Sequence, residues 1–249
     1  MRALALAAAL ALFASDPLAA AGLEAATVAV QTVTPVGDGR ARISDCAGVL
    51  IEPDVVLTAG HCLDAASGPA QVAVFAYDGR RAVPPHLPVL RFARHPGHVI
   101  GWRERPGEPE TRQREIAADL ALLKLARPVA GATPASLSGN VEAAAAATSA
   151  MTGVGRSGPD AGARSGALKS FRPSAVRFST GSGARVAFAS VDRPACGGDS
   201  GGAVAARDGA VWGVVSAILR PRGGCGGRIA IAPVDPASDG FRRMRRALD

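Results

Sequence analysis

The sequence predicts an all-β protein that ends in an α-helix. Short alternating or continuously apolar segments recur along the chain, and residues that favour turns separate them. The 30 glycines and 18 prolines among 249 residues fit a fold with many turns. Hydrophobic residues make up 48% of the chain, which excludes a disordered protein and allows one large or two small domains.

The N-terminus has the form of a secretory signal peptide. A positively charged start precedes the apolar run Ala3–Ala14, which is too short to span a bilayer. Pro17 ends the run, and Ala19-Ala20-Ala21 offers a cleavage site of small residues. We therefore expect residues 1–21 to be a signal peptide that is cut off before Gly22; the alternative is an N-terminal core helix. No later segment is long and apolar enough for a membrane helix.

The rest of the chain contains a series of strand-like segments between turns. In order, they are Thr27–Thr34, Val49–Ile51, Val55–Thr58, Gln71–Tyr77, Val89–Phe92, Leu120–Leu125, Ala150–Val154, Ala175–Ser179, Arg185–Ser190, Ala203–Ala206, Val211–Ile218 and Arg228–Ile231. The polar segment from His95 to Glu115 predicts a long surface loop. The stretch from Pro128 to about Asn140, rich in Pro, Ala, Gly and Ser, predicts a connection between two halves.

The C-terminal segment DGFRRMRRALD predicts a helix. Phe241, Met244 and Leu248 fall on one face at spacings of three and four. We expect this face to dock on the protein and the arginines to face solvent; the alternative is that the arginines bind an anionic surface.

The formal net charge of +7 comes almost entirely from arginine, since Lys124 and Lys169 are the only lysines. A basic balance is compatible with a nucleic-acid partner, but the arginines are scattered and no nucleic-acid-binding motif accompanies them. We therefore expect a solvated basic surface and no nucleic-acid partner.

Four cysteines are present, an even number that predicts two disulfides in an exported protein. Their positions suggest the local pairs Cys46–Cys62 and Cys196–Cys225. A zinc site is the alternative, but no CxxC spacing supports it. His95 and His98 in HPGH lack a third ligand, so we expect no metal and no cofactor; the scattered acidic residues leave a calcium loop open.

The segment CGGDSGG surrounds Ser200 with glycines. A serine is a nucleophile at neutral pH only beside a base that a third group orients. His61 is the best-placed histidine, since it follows a strand and a tight turn and precedes Cys62. Asp119 opens an apolar strand, where a carboxylate is costly unless it is paired. The alternatives for CGGDSGG are a plain turn and a phosphate-binding loop, although no lysine follows the glycines.

Three fragments occur in the order CAGVLIEPDVVLTAGHC, DLALLKL and CGGDSGGAV. Together they closely resemble the chymotrypsin-like (trypsin-like) serine proteases, as in a bacterial secreted member. TGVG at Thr152–Gly155 is similar to the Gly-aromatic-Gly segment of that family, with Val154 in place of the aromatic residue. The resemblance implies two packed six-stranded antiparallel β-barrels, in residues 22–136 and 137–249, with the site in the cleft between them.

The resemblance also implies an exported serine endopeptidase that acts on peptides or proteins through an acyl-enzyme intermediate. Its catalytic triad would be Ser200, His61 and Asp119, and the backbone N–H groups of Gly198 and Ser200 would form the oxyanion hole. We expect a monomer. The alternative is a catalytically inactive secreted binding protein on the same fold.

In this family, an N-terminal ammonium exposed by proteolysis pairs with the aspartate that precedes the serine, here Asp199. No Ile-Val-Gly-Gly-like start is visible. The resemblance therefore leads us to expect that the amine of Gly22 pairs with Asp199, so that removal of the signal peptide alone activates the enzyme. The alternative is a cut between Arg42 and Ile43, which would discard a strand that the barrel needs.

The resemblance places the specificity pocket at Pro194, Ser216, Ala217 and Ile218. Pro194 stands where enzymes that cleave after Lys or Arg carry Asp, and Ile218 in place of glycine should narrow the pocket. We expect a small apolar residue before the scissile bond. The alternative is an acidic residue, paired with Arg220 and Arg222.

Overall fold

The computed structural model describes residues 17–101, 109–159, 166–179, 183–219 and 222–249. The first half is a closed antiparallel barrel. Its strands are β1 (Thr27–Gly37), β2 (Arg40–Glu52), β3 (Val55–Thr58), β4 (Val72–Asp78), β5 (Arg81–Arg94) and β6 (Ala121–Leu125). They follow one another around the barrel in the order β1-β2-β3-β6-β5-β4, and β1 also pairs with β4.

The second half is a seven-stranded antiparallel sheet. Its strands are β7 (Thr148–Gly153), β8 (Lys169–Phe171), β9 (Pro173–Ser179), β10 (Val186–Cys196), β11 (Ala203–Ala206), β12 (Val211–Ile218) and β13 (Cys225–Pro233). The order across the sheet is β8-β7-β11-β12-β13-β10-β9.

The two edge strands of this sheet are consecutive in the chain. Only Arg172 separates β8 from β9, so the sheet curls back towards itself. Pro173 has no N–H to give to a ladder, which explains why the strand is interrupted there. The predicted chymotrypsin-like all-β fold with a C-terminal helix is confirmed. The second half differs in one detail: it has seven strands, two of which continue one another.

Four helices accompany the strands in the described residues: α1 (Pro17–Ala26), α2 (Pro109–Ala117), α3 (Val141–Ala146) and α4 (Asp239–Arg246). The predicted C-terminal helix is α4. Phe241, Met244 and Leu248 are buried in the core cluster of the first barrel, and the Ser238 hydroxyl caps the helix by accepting the Phe241 N–H. None of the helices described in this structure is long and apolar enough to cross a membrane.

The polar segment from His95 to Glu115 differs from the loop predicted for it. Residues 102–108 lie outside the described ranges, but α2 begins at Pro109, a residue suited to the first position of a helix. Ile116 on α2 is buried with Val186 and Ala230 of the second half. Helix α2 therefore connects the two halves of the protein, because Ile116, its one large apolar residue, packs against the second half.

The predicted signal peptide lies mostly outside the described residues, which begin at position 17. Leu23 and Ala26, at the end of α1, are buried in the core cluster of the first barrel. The residues that follow the expected cleavage point thus belong to the folded domain.

Both disulfides form as the sequence predicts. Cys46 and Cys62 are joined with a sulfur–sulfur distance of 2.01 Å, and Cys196 and Cys225 with 2.06 Å. The first disulfide links β2 to the turn after β3. The second links the end of β10 to the start of β13.

Removing the disulfide Cys46–Cys62 should measurably lower the stability of the protein. It spans 16 residues of sequence, and closing such a loop reduces the entropy of the unfolded chain. Replacing both cysteines with alanine should lower the free energy of unfolding by about 3 kcal/mol in chemical denaturation. The difference from wild type should shrink in a reductant strong enough to open both disulfides. An unchanged unfolding free energy under oxidising conditions would contradict the expectation.

Candidate active site

His61 lies in a short 3-10 turn, Gly60–Leu63, that follows strand β3. Cys62 fixes the backbone beside it through the disulfide to Cys46. The His61 side chain keeps 20% of its surface exposed, so the ring is held by the fold and still reachable from the cleft.

Asp119 lies between α2 and β6, and only 1% of it is exposed. One carboxylate oxygen, Oδ1, accepts the backbone N–H of His61 at 2.8 Å. The other, Oδ2, lies 2.7 Å from His61 Nδ1 and accepts the Ser216 hydroxyl at 2.6 Å. Because an ionised carboxylate only accepts hydrogen bonds, His61 Nδ1 carries the proton and Nε2 is the basic nitrogen of the neutral ring.

The two residues shift each other's pKa. Burial by itself lowers the pKa of His61, but the charge of Asp119, its hydrogen bond and the charge of Asp64 raise it, and the pKa ends above its usual 6.5. Burial by itself raises the pKa of Asp119, whereas His61, the Ser216 hydroxyl and the His61 N–H lower it below its usual value. The pair therefore favours a protonated imidazole beside an ionised acid.

A second histidine, His98, lies close to Asp119. His98 Nε2 is 2.7 Å from Asp64 Oδ1, and His98 Nδ1 is 3.6 Å from Asp119 Oδ1, too far for a hydrogen bond. A side chain at Gly60 would meet the His98 ring 2.6 Å from its Cβ, so glycine makes room for it. No local pattern in the sequence predicts this arrangement, because it depends on the packing of the segment after β5 against the His61 turn.

Ser200 lies in the tight turn Cys196–Ser200, hereafter the serine turn, which follows β10. Its carbonyl oxygen accepts the Ala47 N–H of the first barrel at 2.7 Å and lies 3.9 Å from Cys62 Sγ. Since Cys62 is the residue after His61, these contacts bring Ser200 next to the turn that carries His61. The structure thus gathers His61, Asp119 and Ser200 at the junction of the two halves.

The backbone N–H groups from Gly197 to Gly202 differ in whether the protein itself accepts them. Gly197, Asp199, Gly201 and Gly202 each donate their N–H to a backbone carbonyl of the protein. Within the described ranges, no backbone carbonyl accepts the N–H of Gly198 or Ser200. Two donors close to the Ser200 hydroxyl are therefore available to an outside acceptor.

At two of these positions, glycine is required both by a positive φ and by close packing. Gly198 has φ +99°, and a Cβ there would lie 2.7 Å from the Cα of Gly155. Gly201 has φ +79°, and a Cβ there would lie 2.2 Å from the carbonyl oxygen of Ala47. An L side chain fits neither the backbone conformation nor the space. The glycines of CGGDSGG thus let the serine turn pack closely on its neighbours.

Asp199 is the second buried acid of the site, with 0% of its surface exposed. Its Oδ1 accepts the Gly155 N–H at 2.7 Å, and its Oδ2 accepts the Cys196 N–H at 2.8 Å. The Lys169 ammonium lies 2.8 Å from Oδ2. Gly155 belongs to TGVG, and a Cβ there would lie 2.6 Å from the Asp199 nitrogen, which explains a glycine at this position.

In the full chain, the cation beside Asp199 is the ammonium of Lys169. The amine expected at Gly22 forms only when residues 1–21 are removed, and here Gly22 is an exposed residue within α1. Sequence reasoning missed Lys169. The available signal was its setting, since a lysine between the apolar residues Leu168 and Phe171 in a lysine-poor chain needs a partner.

The residues expected to form the specificity pocket lie on different elements. Ser216 is buried, and its hydroxyl is used on Asp119. Ala217 and Ile218 follow it at the end of β12, where they pair with Ala230 and Ile229 of β13 and remain partly exposed.

Pro194 is exposed near the end of β10, two residues before Cys196. Arg222 forms an isolated backbone bridge with Cys225, beside the second disulfide. Arg220, the other arginine considered for acidic substrates, lies outside the described residues.

One cluster of metal-ligand atoms occurs in the described part of the chain, formed by Cys46, His61 and Cys62 within 4.8 Å of one another. Both sulfurs belong to a disulfide and carry no thiolate. This cluster therefore does not have the donors that a metal ion requires.

Comparison with known proteins agrees with this geometry. The family model described as Trypsin matches residues 36–238. A solved structure titled HL collagenase is 19% identical in sequence, with a TM-score of 0.62 over 89% of this chain and 94% of that one, and so shares the fold. A search of curated proteins finds no match. Since the family match spans most of its length, the chain belongs to the trypsin family and is a serine-type endopeptidase.

Proposed function

We propose that Ser200, His61 and Asp119 are the catalytic triad of this endopeptidase. The observation that carries the assignment is the way Asp119 holds His61. A carboxylate that is 1% exposed accepts both the backbone N–H and the Nδ1–H of the histidine, at 2.8 and 2.7 Å. Such a carboxylate fixes the tautomer and stabilises the imidazolium that forms when Nε2 takes a proton.

The mechanism follows from these roles. Ser200 Oγ attacks the scissile carbonyl while His61 Nε2 takes the hydroxyl proton. The tetrahedral intermediate collapses when His61 gives this proton to the leaving amine, and the acyl group stays on Ser200. Water then attacks the ester with His61 again as base, and proton return to Ser200 Oγ releases the acid.

The N–H groups of Gly198 and Ser200 are the proposed oxyanion hole. Both lack a backbone acceptor in the described part of the chain, whereas the neighbouring N–H groups are used. Donors that are already in place gain more from the charged intermediate than from the substrate carbonyl, so they lower the barrier.

We further propose a preference for a small apolar residue before the scissile bond. Ile218 adds a branched side chain to the end of β12, next to Ala217 and Ser216. Branched bulk at a pocket wall excludes large side chains, and the exposed Pro194 supplies no charge for a basic one.

We also propose that the protein is exported. Both disulfides require an oxidising compartment to persist, and the N-terminal segment of the sequence has the pattern of a signal peptide. The enzyme would then work in the periplasm or outside the cell.

The triad predicts covalent labelling by a fluorophosphonate probe. Wild-type protein should be labelled at Ser200, and Ser200→Ala should lose both labelling and peptide hydrolysis, the latter by at least about 10³-fold. Ser174→Ala is the matched control, since Ser174 is an exposed serine on β9. Labelling that persists in Ser200→Ala would show that the nucleophile lies elsewhere.

The raised pKa of His61 predicts the pH dependence of hydrolysis. His61 must be neutral to accept the proton, so kcat/KM should rise with pH through a midpoint above 6.5. Asp64 is one of the charges that raise this pKa, and Asp64→Asn should move the midpoint down by roughly half a unit. Asp54→Asn, which removes an acid paired with Lys124 on the surface, should leave the midpoint in place. The same midpoint in wild type and in Asp64→Asn would contradict this electrostatic explanation.

The pocket proposal predicts a change in specificity on removing Ile218. With peptides that differ only in the residue before the scissile bond, wild type should prefer Ala over Phe. Ile218→Gly should raise the Phe-to-Ala ratio of kcat/KM by about tenfold, because the wall side chain is gone. The ratio is its own control for folding and enzyme concentration. A strong preference of wild type for Arg would refute the pocket interpretation.

A further inference from the structure

We propose that Lys169 is a positioning residue, whose ammonium holds the serine turn in its working conformation so that the enzyme needs no processed N-terminus. The inference rests on the proposed function of this site. In this proposal, the side chain of Lys169 on β8 controls the orientation of the Gly198 and Ser200 N–H groups, which would bind the oxyanion.

The Asp199 side chain is the link between Lys169 and the serine turn. It lies between Gly198 and Ser200 in sequence. The peptide unit after Asp199 carries the Ser200 N–H, and the residue before it carries the Gly198 N–H, so a displacement of Asp199 moves both groups. Its carboxylate is fixed at three points, by Lys169 Nζ, the Gly155 N–H and the Cys196 N–H, at 2.8, 2.7 and 2.8 Å. Only Lys169 among these supplies a full positive charge.

The surroundings of Lys169 suit an ammonium that stays in place. Nζ also donates to the Arg156 carbonyl at 2.8 Å and lies 5.3 Å from the centre of the Phe171 ring. Its side chain is 9% exposed and Asp199 is fully buried, so water screens the pair little. A buried carboxylate without its cation would turn towards water, and this movement would release the serine turn.

The segment around Gly22 is fixed by contacts of its own. Leu23 is buried, and its carbonyl accepts the Thr27 hydroxyl at 2.7 Å. The Glu24 carboxylate accepts the hydroxyl of Ser170 on β8. Gly22 itself is exposed, while the cation position beside Asp199 is filled.

The first experiment replaces Lys169 with methionine, an unbranched side chain that is one atom shorter and carries no charge. We expect kcat for a peptide substrate to fall by about 100-fold with KM changed by less than about threefold, since the loss falls on the transition state. The rate of fluorophosphonate labelling should fall in parallel. Lys124→Met is the matched control, because Lys124 is the only other lysine and pairs with Asp54 at the surface.

Chemical rescue separates positioning from general destabilisation. Lys169→Ala leaves a gap the size of propylammonium, and this ion should restore kcat in a saturable manner, whereas propanol should not. A thermally stable Lys169→Met variant with wild-type kcat would overturn the proposal. Recovery of kcat with propanol to the same extent would also overturn it, since the charge would then be irrelevant.

The second experiment tests the N-terminus directly and does not depend on the folding of a variant at Lys169. Two proteins are compared, one that begins at Gly22 and one with a short extension fused before Gly22. We expect kcat/KM to agree within about twofold, because Lys169 supplies the cation. Loss of activity in the extended protein would overturn the proposal. A protein beginning at Gly22 that neither reacts with the fluorophosphonate nor cleaves peptides would instead refute the proposed function.

Discussion

A carboxylate excluded from water has to be compensated by positive charge and by hydrogen bonds, and this protein buries two of them in one site. Asp119 is 1% exposed and Asp199 is 0% exposed. Asp119 is paired with His61, a group that gains and loses its proton near neutral pH. Asp199 is paired with the ammonium of Lys169. In our proposal, the Asp119–His61 pair takes part in the proton transfer, and the Asp199–Lys169 pair holds the serine turn in place.

The fold meets this constraint by ending strands of both halves at one junction. The first barrel supplies His61 after β3 and Asp119 before β6, and the second half supplies the serine turn after β10. The hydrogen bond from the Ala47 N–H to the Ser200 carbonyl joins the two halves directly. Ser216, from β12, completes the hydrogen bonds of Asp119. The site therefore exists only when both halves are folded and docked.

Most of the strands, the C-terminal helix and both disulfides were predictable, because apolar periodicity and cysteine positions are local properties of the sequence. The fragments around His61, Asp119 and Ser200 were recognisable by their order. Strand β8 was missed because it is three residues long, and α2 was missed because its packing on the second half outweighs a polar composition. The pairing of Lys169 with Asp199 spans 30 residues and arises from the tertiary fold, so no local pattern encodes it.

The most direct measurement is a crystal structure of the protein after reaction with a small fluorophosphonate. In our proposal, phosphorus should be bonded to Ser200 Oγ, with one phosphoryl oxygen about 2.7–3.1 Å from the N–H groups of both Gly198 and Ser200. His61 Nε2 should face the reacted oxygen, and Lys169 should remain on Asp199. An adduct on another residue, or a phosphoryl oxygen directed into solvent with the Gly198 peptide turned away, would contradict it.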